Sequence, residues 1–446
     1  MLDLAIIGGG PAGYTAAERA VHLGLKVVIF EKNSFGGVCL NEGCIPTKTL
    51  LYSAKLYKNA QSGKKYGFSA ENISFDYAKI VSRKNKIVRK LNAGIRAKMG
   101  DENITVINGN AIVDKYLDNK IVISCDGEKF EAKKLLICSG SQVSIPPIKG
   151  VDNVEYITSK EALELKEIPK SIAIVGGGVI GMEFAGLFNT FGTKVSVVEM
   201  AEEILPPVDS EISALLRTEY EKEGVDFYLG AKVTELQNNK LIFTDKDGNT
   251  QSLDVEKILL CVGRKPVLEG LEALALKPFR NGIEVDETMQ TSIPNVYAAG
   301  DITAYSMLAH TAVREAEVAV NNIAGIPDNM SYKAVPSVVY TNPEVAGVGK
   351  TEDELKADGR KYSVKKLPMT FSGRFVAENE GSNGLCKLIF DENNIIIGCH
   401  MIGNPSSEII VSSTIAIEQQ MSDKAFEKII FPHPSVGEII KESLFV

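Results

Sequence analysis

Apolar and polar positions fall into a block that the chain uses twice. Leu4-Ala-Ile-Ile is an unbroken apolar run ending on Gly8-Gly-Gly10-Pro-Ala-Gly13, which predicts a buried strand running into a tight turn. Apolar residues then recur at helical spacing through Leu23, and a second run, Lys26-Val-Val-Ile-Phe30, ends on Glu31. The same order returns at an offset of 168 residues. Ile172-Ala-Ile-Val leads into Gly176-Gly-Gly178-Val-Ile-Gly181, then a helical stretch, then Lys194-Val-Ser-Val-Val198 and Glu199. Two strand–turn–helix–strand units of this kind predict an α/β chain with two Rossmann-like domains.

A lone G-x-G-x-x-G is weak, but each copy here joins a strand to a helix and is followed by an acid at the end of the next strand. Gly8 and Gly176 would permit the turn, and Gly10 and Gly178 would let a pyrophosphate reach the backbone. Gly13 and Gly181 would allow helix and strand to pack closely, and Glu31 and Glu199 would accept hydrogen bonds from a ribose. The helix N-terminus favours the phosphate charge. Two bound dinucleotides are expected. The residues after Glu199 are Met-Ala-Glu-Glu, with no cation to receive a 2′-phosphate, so NAD is expected there rather than NADP.

Composition narrows the class. With 446 residues the chain has room for roughly three domains, and 44% hydrophobic with 24% charged residues is a globular balance. A net charge of -8 argues against nucleic-acid or anionic-membrane partners. The N-terminus runs straight into a strand pattern without a basic segment, and a cytoplasmic location is expected.

Seven cysteines are too few and too scattered for a disulfide scaffold. Five sit singly, mostly in apolar runs such as Leu135-Leu-Ile-Cys138, and read as core residues. Cys39 and Cys44 differ, with four residues between them in a glycine-rich segment beside the first nucleotide motif. Two buried thiols or half a zinc site are the plain alternatives, and no paired histidine or cysteine motif completes the latter. Such a pair can close a disulfide if the first cysteine begins a helix and the second lies in its first turns. A close pair in a cytosolic chain more often does redox chemistry. The first nucleotide site should then hold the cofactor that reacts with it.

The segment Gly36-Gly-Val-Cys39-Leu-Asn-Glu-Gly-Cys44-Ile-Pro-Thr-Lys48 resembles the disulfide motif of the flavin disulfide reductases, and within them of the dihydrolipoyl (lipoamide) dehydrogenases. The likeness covers essentially the whole chain. Ala298-Ala-Gly-Asp301 with Met307-Leu-Ala-His310 is similar to the flavin-domain signature. Tyr340 to Gly349 is similar to the start of the dimerisation domain. Pro432-His433-Pro434-Ser-Val-Gly-Glu438 resembles the catalytic His-Pro element.

The resemblance implies FAD at the first site, around Gly8, Gly10, Gly13 and Glu31, with Asp301 and the backbone at Ala309 on its ribityl and pyrophosphate. It implies NAD around Gly176, Gly178, Gly181 and Glu199, with Gly263 near the nicotinamide, and further cofactor positions at Ala111 and Val233. Cys39 and Cys44 become the redox pair, Lys48 and Glu183 an ion pair near the flavin, and His433 with Glu438 the acid–base element. Taken without the resemblance, Lys48 and Glu183 read as solvated helix charges, and Asp301 as a helix cap. His433 is held between two prolines with a carboxylate five residues on, an arrangement that fixes a tautomer.

Some positions depart from the family pattern. The tail after Glu438 is short for the family, any lipoyl group is expected to arrive on another protein, and no C-terminal cysteine pair argues for a mercuric reductase. Val179 stands where glutathione reductases often carry a tyrosine.

The expected architecture is α/β, two Rossmann-like domains plus a C-terminal α+β dimerisation domain. FAD-binding parts span 1–147 and 271–332, the NAD domain 148–270, and the interface domain 333–446. The expected activity is NAD-dependent oxidation of dihydrolipoyl groups by a homodimer. Its partner would be a lipoyl-bearing protein of an oxoacid dehydrogenase, acetoin or glycine-cleavage system. An NADH-dependent reductase of another disulfide is the alternative activity. A scaffolding role in a multienzyme core is the alternative class.

Overall fold

The computed structural model describes residues 1–117 and 120–446. They fall into two compact units, Met1–Thr49 with Ser82–Ser144 and Gly263–Ser331, and Leu50–Val81 with Ile145–Val262 and Tyr332–Val446.

In the first unit, β1 (Leu2–Ile7) is buried from Leu4 onward and pairs in parallel with β2 (Val27–Glu31) and β6 (Glu128–Ile137). A strand buried on both faces needs an unbroken apolar run, which the sequence supplies. The sheet continues through β3 (Ile104–Asn108) on one side and β5 (Lys120–Cys125) and β4 (Ile112–Leu117) on the other. The long β6 pairs antiparallel with β5 through its first half, and its second half carries β19 (Val296–Ala298) in parallel. After β1, Pro11 opens α1 (Pro11–His22), where a missing N–H costs nothing. Small residues of α1 (Ala12, Ala16, Ala20) and of α8 (Ala309–Ile323; Ala312, Ala316, Ala319) are buried where these helices meet. Then come α2 (Gly37–Glu42), the start of α3 (Cys44–Gln61) as far as Thr49, and α4 (Tyr77–Lys98) from Ser82 onward. The unit is completed by two short antiparallel pairings, β7 (Ser141–Val143) with β16 (Arg264–Pro266), and β17 (Pro278–Phe279) with β18 (Gly282–Ile283).

The second unit holds a parallel sheet in the order β11 (Asp226–Tyr228), β10 (Lys194–Val198), β9 (Ser171–Val175), β15 (Lys257–Leu260), β8 (Ile157–Thr158). Thr158 caps the short α5 (Ser159–Ala162) through a capping box. Helix α6 (Val179–Thr190) is buried from Gly181 to Ala185 and again at Leu187 and Phe188, and α7 (Ser210–Lys222) follows. An antiparallel meander, β12 (Lys232–Gln237), β13 (Lys240–Thr244) and β14 (Thr250–Asp254), lays Leu236, Leu241 and Phe243 against Val175, Val198 and Leu260. Beyond it lies an antiparallel sheet in the order β20 (Ser337–Val339), β21 (Val345–Gly349), β24 (Ile396–Ile402), β23 (Leu385–Phe390), β22 (Ser363–Pro368). Helices α9 (Glu352–Ala357), α10 (Gly373–Glu378), α11 (Ser406–Glu418), α12 (Asp423–Glu427) and α13 (Glu438–Glu442) accompany it.

One polar cluster crosses this unit's interior. Lys387 of β23 is 1% exposed, and its ammonium donates to both carboxylate oxygens of Asp209 (2.9 and 2.8 Å), to Glu211 (3.1 Å) and to Glu352. Burial alone would neutralise such a lysine, but the carboxylates outweigh it and raise its pKa.

The α/β class expected from the repeat is the observed one. No helix among the described residues is long and apolar enough to cross a membrane.

Candidate active site

The two glycine turns share one geometry. Gly8 and Gly176 both adopt φ +104°, in the left-handed region that favours glycine. A side chain at Gly13 would collide with the Gly8 carbonyl, and one at Gly181 with the Gly176 carbonyl. Gly10 and Gly178 differ: they cap α1 and α6 with ordinary extended backbone (φ -72° in both) and no side-chain cap. A Cβ on Gly10 would come no nearer than 3.9 Å to any protein atom, and one on Gly178 would meet nothing within 4 Å. Nothing in the protein demands glycine there. The small residue keeps a space clear over uncapped helix N–H groups, which is what a pyrophosphate needs.

The acids complete each turn. Glu31 accepts from Gly9 N–H and Asn33 N–H, both at 2.7 Å. Glu199 does the same with Gly177 (2.6 Å) and Ala201 (2.7 Å). Each carboxylate oxygen retains acceptor capacity for a ribose hydroxyl. The residues present therefore fit two dinucleotides.

The cysteine pair is built onto the first turn, since Gly36 N–H donates to the Gly9 carbonyl at 2.8 Å. Cys39 and Cys44 form a disulfide with Cα atoms 4.7 Å apart. The local structure is not one helix carrying both sulfurs. Cys39 lies inside α2, the chain breaks at Gly43 (φ -148°, ψ -105°), and Cys44 begins α3. The break puts Cys44 at the N-terminus of an 18-residue helix, where a thiolate is favoured. Asn41, between the cysteines, donates to the carbonyls of Phe35 (3.0 Å) and Gly37 (2.9 Å), and Asn92 of α4 donates to Phe35 O (2.6 Å) and to Asn41 Oδ1 (3.2 Å). Lys48 stands one turn after Cys44 on α3. Of the other cysteines, Cys125, Cys138, Cys386 and Cys399 are buried and Cys261 is half-buried.

Asp301 opens a short 3-10 turn and accepts from the Ser141 hydroxyl. Arg264 braces Ser141 from the other side, Nε to Oγ at 2.8 Å and Nη2 to the carbonyl at 2.7 Å. Burial lowers the Arg264 pKa, against the pull of Asp301 and Glu42. The buried Glu315 accepts from Gly300 N–H at 2.6 Å, fixing the Ala299–Gly300 peptide. Sequence reading passed over Ser141, Arg264 and Glu315. The one available signal was Arg264 directly after Gly263, itself held in the left-handed region at φ +99°. Ala309 is the first residue of α8, Ala111 is buried beside β4, and Val233 lies half-buried on β12.

In the second unit, His433 and Glu438 meet: Nδ1 lies 3.0 Å from Oε1, and the other carboxylate oxygen accepts from Ser435 N–H at 2.8 Å. The Ser435 N–H, with His433, lowers the Glu438 pKa and keeps it ionised. The imidazole is 82% exposed. It stands by a cavity of about 400 Å³ lined by Arg374, Glu408, Phe431, Pro432, Pro434 and Val436. Glu183 is 3% exposed on α6 and accepts from Tyr340 N–H at 3.0 Å.

Two glycine turns of one nucleotide-binding geometry, with a disulfide fastened to the first, define a class, and comparison with known proteins agrees. The chain belongs to the pyridine nucleotide-disulphide oxidoreductase family, matched over residues 2–316, with that family's dimerisation domain over residues 335–444. It is an oxidoreductase of a flavoprotein family that uses FAD and NAD. It is 37% identical to a dihydrolipoyl dehydrogenase of Bacillus subtilis (strain 168), covering 99% of this chain and 97% of that one. It is 35% identical to the dihydrolipoyl dehydrogenase of Geobacillus stearothermophilus, covering 98% and 94%. Among solved structures, the HOCl-induced flavoprotein disulfide reductase of Escherichia coli superposes with a TM-score of 0.86 at 28% identity, over 100% of this chain and 99% of that one.

Proposed function

We propose that this chain is a dihydrolipoyl dehydrogenase, passing two electrons from a protein-bound dihydrolipoyl group to NAD through the Cys39–Cys44 disulfide. The observation that carries the reading is the disulfide fastened by the Gly36–Gly9 hydrogen bond to the first glycine turn. We assign FAD to the turn at Gly8, Gly10, Gly13 and Glu31, with Ala111, Asp301 and Ala309, and NAD to Gly176, Gly178, Gly181 and Glu199, with Val233 and Gly263. The domains are assigned as FAD-binding 1–147 and 271–332, NAD-binding 148–270 and interface 333–446. When bound, FAD and NAD supply the two-electron chemistry that returns the reduced cysteine pair to the disulfide.

The chain's own groups handle sulfur and protons. A substrate thiol gives its proton to His433 Nε2, since Nδ1 is held by Glu438. Its thiolate attacks Cys39, and Cys44 leaves as a thiolate at the N-terminus of α3. The second substrate thiol then attacks the mixed disulfide, its proton passing to the departing Cys39 sulfur, and the oxidised cyclic disulfide is released. Both electrons now reside on the cysteine pair. Lys48 and Glu183 form an ion pair in this reading, Glu183 being oriented by Tyr340 N–H. The dimerisation domain supports a homodimer. The lipoyl-bearing partner belongs to an oxoacid dehydrogenase, acetoin or glycine-cleavage system, in the cytoplasm.

The test is a specificity panel with lipoamide, glutathione disulfide and mercuric ion as acceptors and NADH or NADPH as donor. Lipoamide with NADH should lead, and NADH should be preferred over NADPH by on the order of 10²-fold, because Glu199 repels a 2′-phosphate. A higher kcat/KM for another disulfide would move the assignment to the reductases, of which the Escherichia coli neighbour is one by name.

A further inference from the structure

Helix α4 is anomalous in charge. The chain as a whole carries more Asp and Glu (57) than Lys and Arg (49), yet this 22-residue helix has eight cations and no carboxylate. Its two end cations are neutralised, Lys79 by Asp76 and Lys98 by Glu18. Between them, Lys86, Arg89, Lys90 and Arg96 are exposed and meet no carboxylate among the described residues. At 100° per residue these four share an arc of about 120°, a stripe roughly 15 Å long. Lys86 and Lys90 stand four apart, where like charges repel. A solvated helix face usually mixes signs and avoids that repulsion.

The helix that carries the stripe is fastened to the loop that holds the disulfide. Asn92, on the same helix, donates to Phe35 O and Asn41 Oδ1 in the cysteine loop, and Arg83 donates to the Thr49 carbonyl of α3 at 3.1 Å. We propose that the Lys86–Arg89–Lys90–Arg96 face of α4 is the docking surface for an acidic polypeptide segment that carries the dithiol to Cys39–Cys44. This rests on the function proposed above and names the charge of its macromolecular substrate. A second copy set face to face on it would bring the same cations together and be repelled. Duplex DNA or an anionic bilayer would overrun a stripe this short onto a surface of net negative sign. A short acidic segment matches it in both length and charge.

The test uses the FAD-loaded full chain with four substrates: free dihydrolipoamide, and a dihydrolipoyl group amide-linked to the single lysine of an acidic, a neutral or a basic peptide of equal length. At low salt the acidic peptide should exceed the neutral one in kcat/KM by about tenfold, and the basic one should trail. The preference should fade as the screening length drops below about 8 Å. The triple variant K86E/R89E/K90E should invert the order and leave free dihydrolipoamide unchanged. The neutral K86Q/R89Q/K90Q set should flatten it, with flavin content reporting the fold of both. Equal kcat/KM for the three peptides, or an acidic preference that survives both variants, overturns the proposal. So does variant-sensitive binding of duplex DNA or phosphatidylserine vesicles without peptide discrimination. Failure of the wild type to oxidise free dihydrolipoamide would instead sink the functional reading.

Discussion

Replacing Gly178 with alanine separates two reasons a glycine can be required. The backbone there has φ -72° and ψ -177°, which alanine adopts without strain, and the added Cβ meets no protein atom within 4 Å. Alanine is the poorer N-cap by about 0.5–1 kcal/mol, but it narrows the unfolded ensemble by about 0.4–1 kcal/mol. The two nearly cancel, so folding stability should stay within about 0.5 kcal/mol of wild type. Binding should not. A methyl group over the N-terminus of α6 displaces a phosphate from the N–H groups and removes at least one charge-assisted hydrogen bond, about 1.5–3 kcal/mol. That corresponds to roughly 10- to 150-fold in affinity. The control is Gly181→Ala, whose methyl would collide with the Gly176 carbonyl and should lower Tm instead. Calorimetry of NADH binding and thermal unfolding of both variants decide it. An unchanged NADH Kd in Gly178→Ala would refute the placement of the pyrophosphate.

His433→Gln should slow dithiol oxidation by about 10²–10⁴-fold while leaving FAD content and NADH oxidation by an artificial acceptor intact. If the dimer shares its sites, mixing it with a Cys44→Ser subunit should restore activity, and a mixture that stays inactive despite proven exchange counts against sharing. Lys387→Met strands the buried Asp209 carboxylate and should destabilise its unit by about 3–5 kcal/mol in denaturant unfolding, whereas adding Asp209→Leu should recover much of it. Burial acts to raise the Glu352 pKa, but the Lys387 hydrogen bond and charge prevail and hold it at about 2, below its ordinary 4.5. Native Glu352 thus binds fewer protons than unfolded. Its stabilisation is complete above about pH 4.5 and is lost as the pH falls toward 2; Lys387→Met should flatten that acid limb of the stability profile.

What was legible in the sequence was local. Each glycine turn and its acid lie within two dozen residues, so spacing exposes them; His433 and Glu438 are five apart, and the family resemblance singled them out. Ser141 meets Arg264 across 123 residues and Asp301 across 160, and Lys387 meets Asp209 across 178. Such pairs leave no periodic trace in a single chain. The break at Gly43 was likewise hidden, because a glycine between two helical patterns is compatible with one helix or two. The basic face of α4 was concealed by averaging: a net charge of -8 describes the whole chain and says nothing of one helix.

The central claim is that Cys39 and Cys44 alternate between disulfide and dithiol as electrons pass between a dithiol and NAD. It is tested most directly by alkylating the native FAD-loaded protein anaerobically, before and after NADH, and mapping the modified cysteines. Four of the other cysteines are buried and Cys261 is half-buried, so their background should be small. The expected result is that Cys39 and Cys44 become alkylated only after NADH, and that excess lipoamide added beforehand protects both. If NADH is consumed by an artificial acceptor while neither cysteine becomes reactive, the disulfide is a structural staple and the proposed activity is wrong.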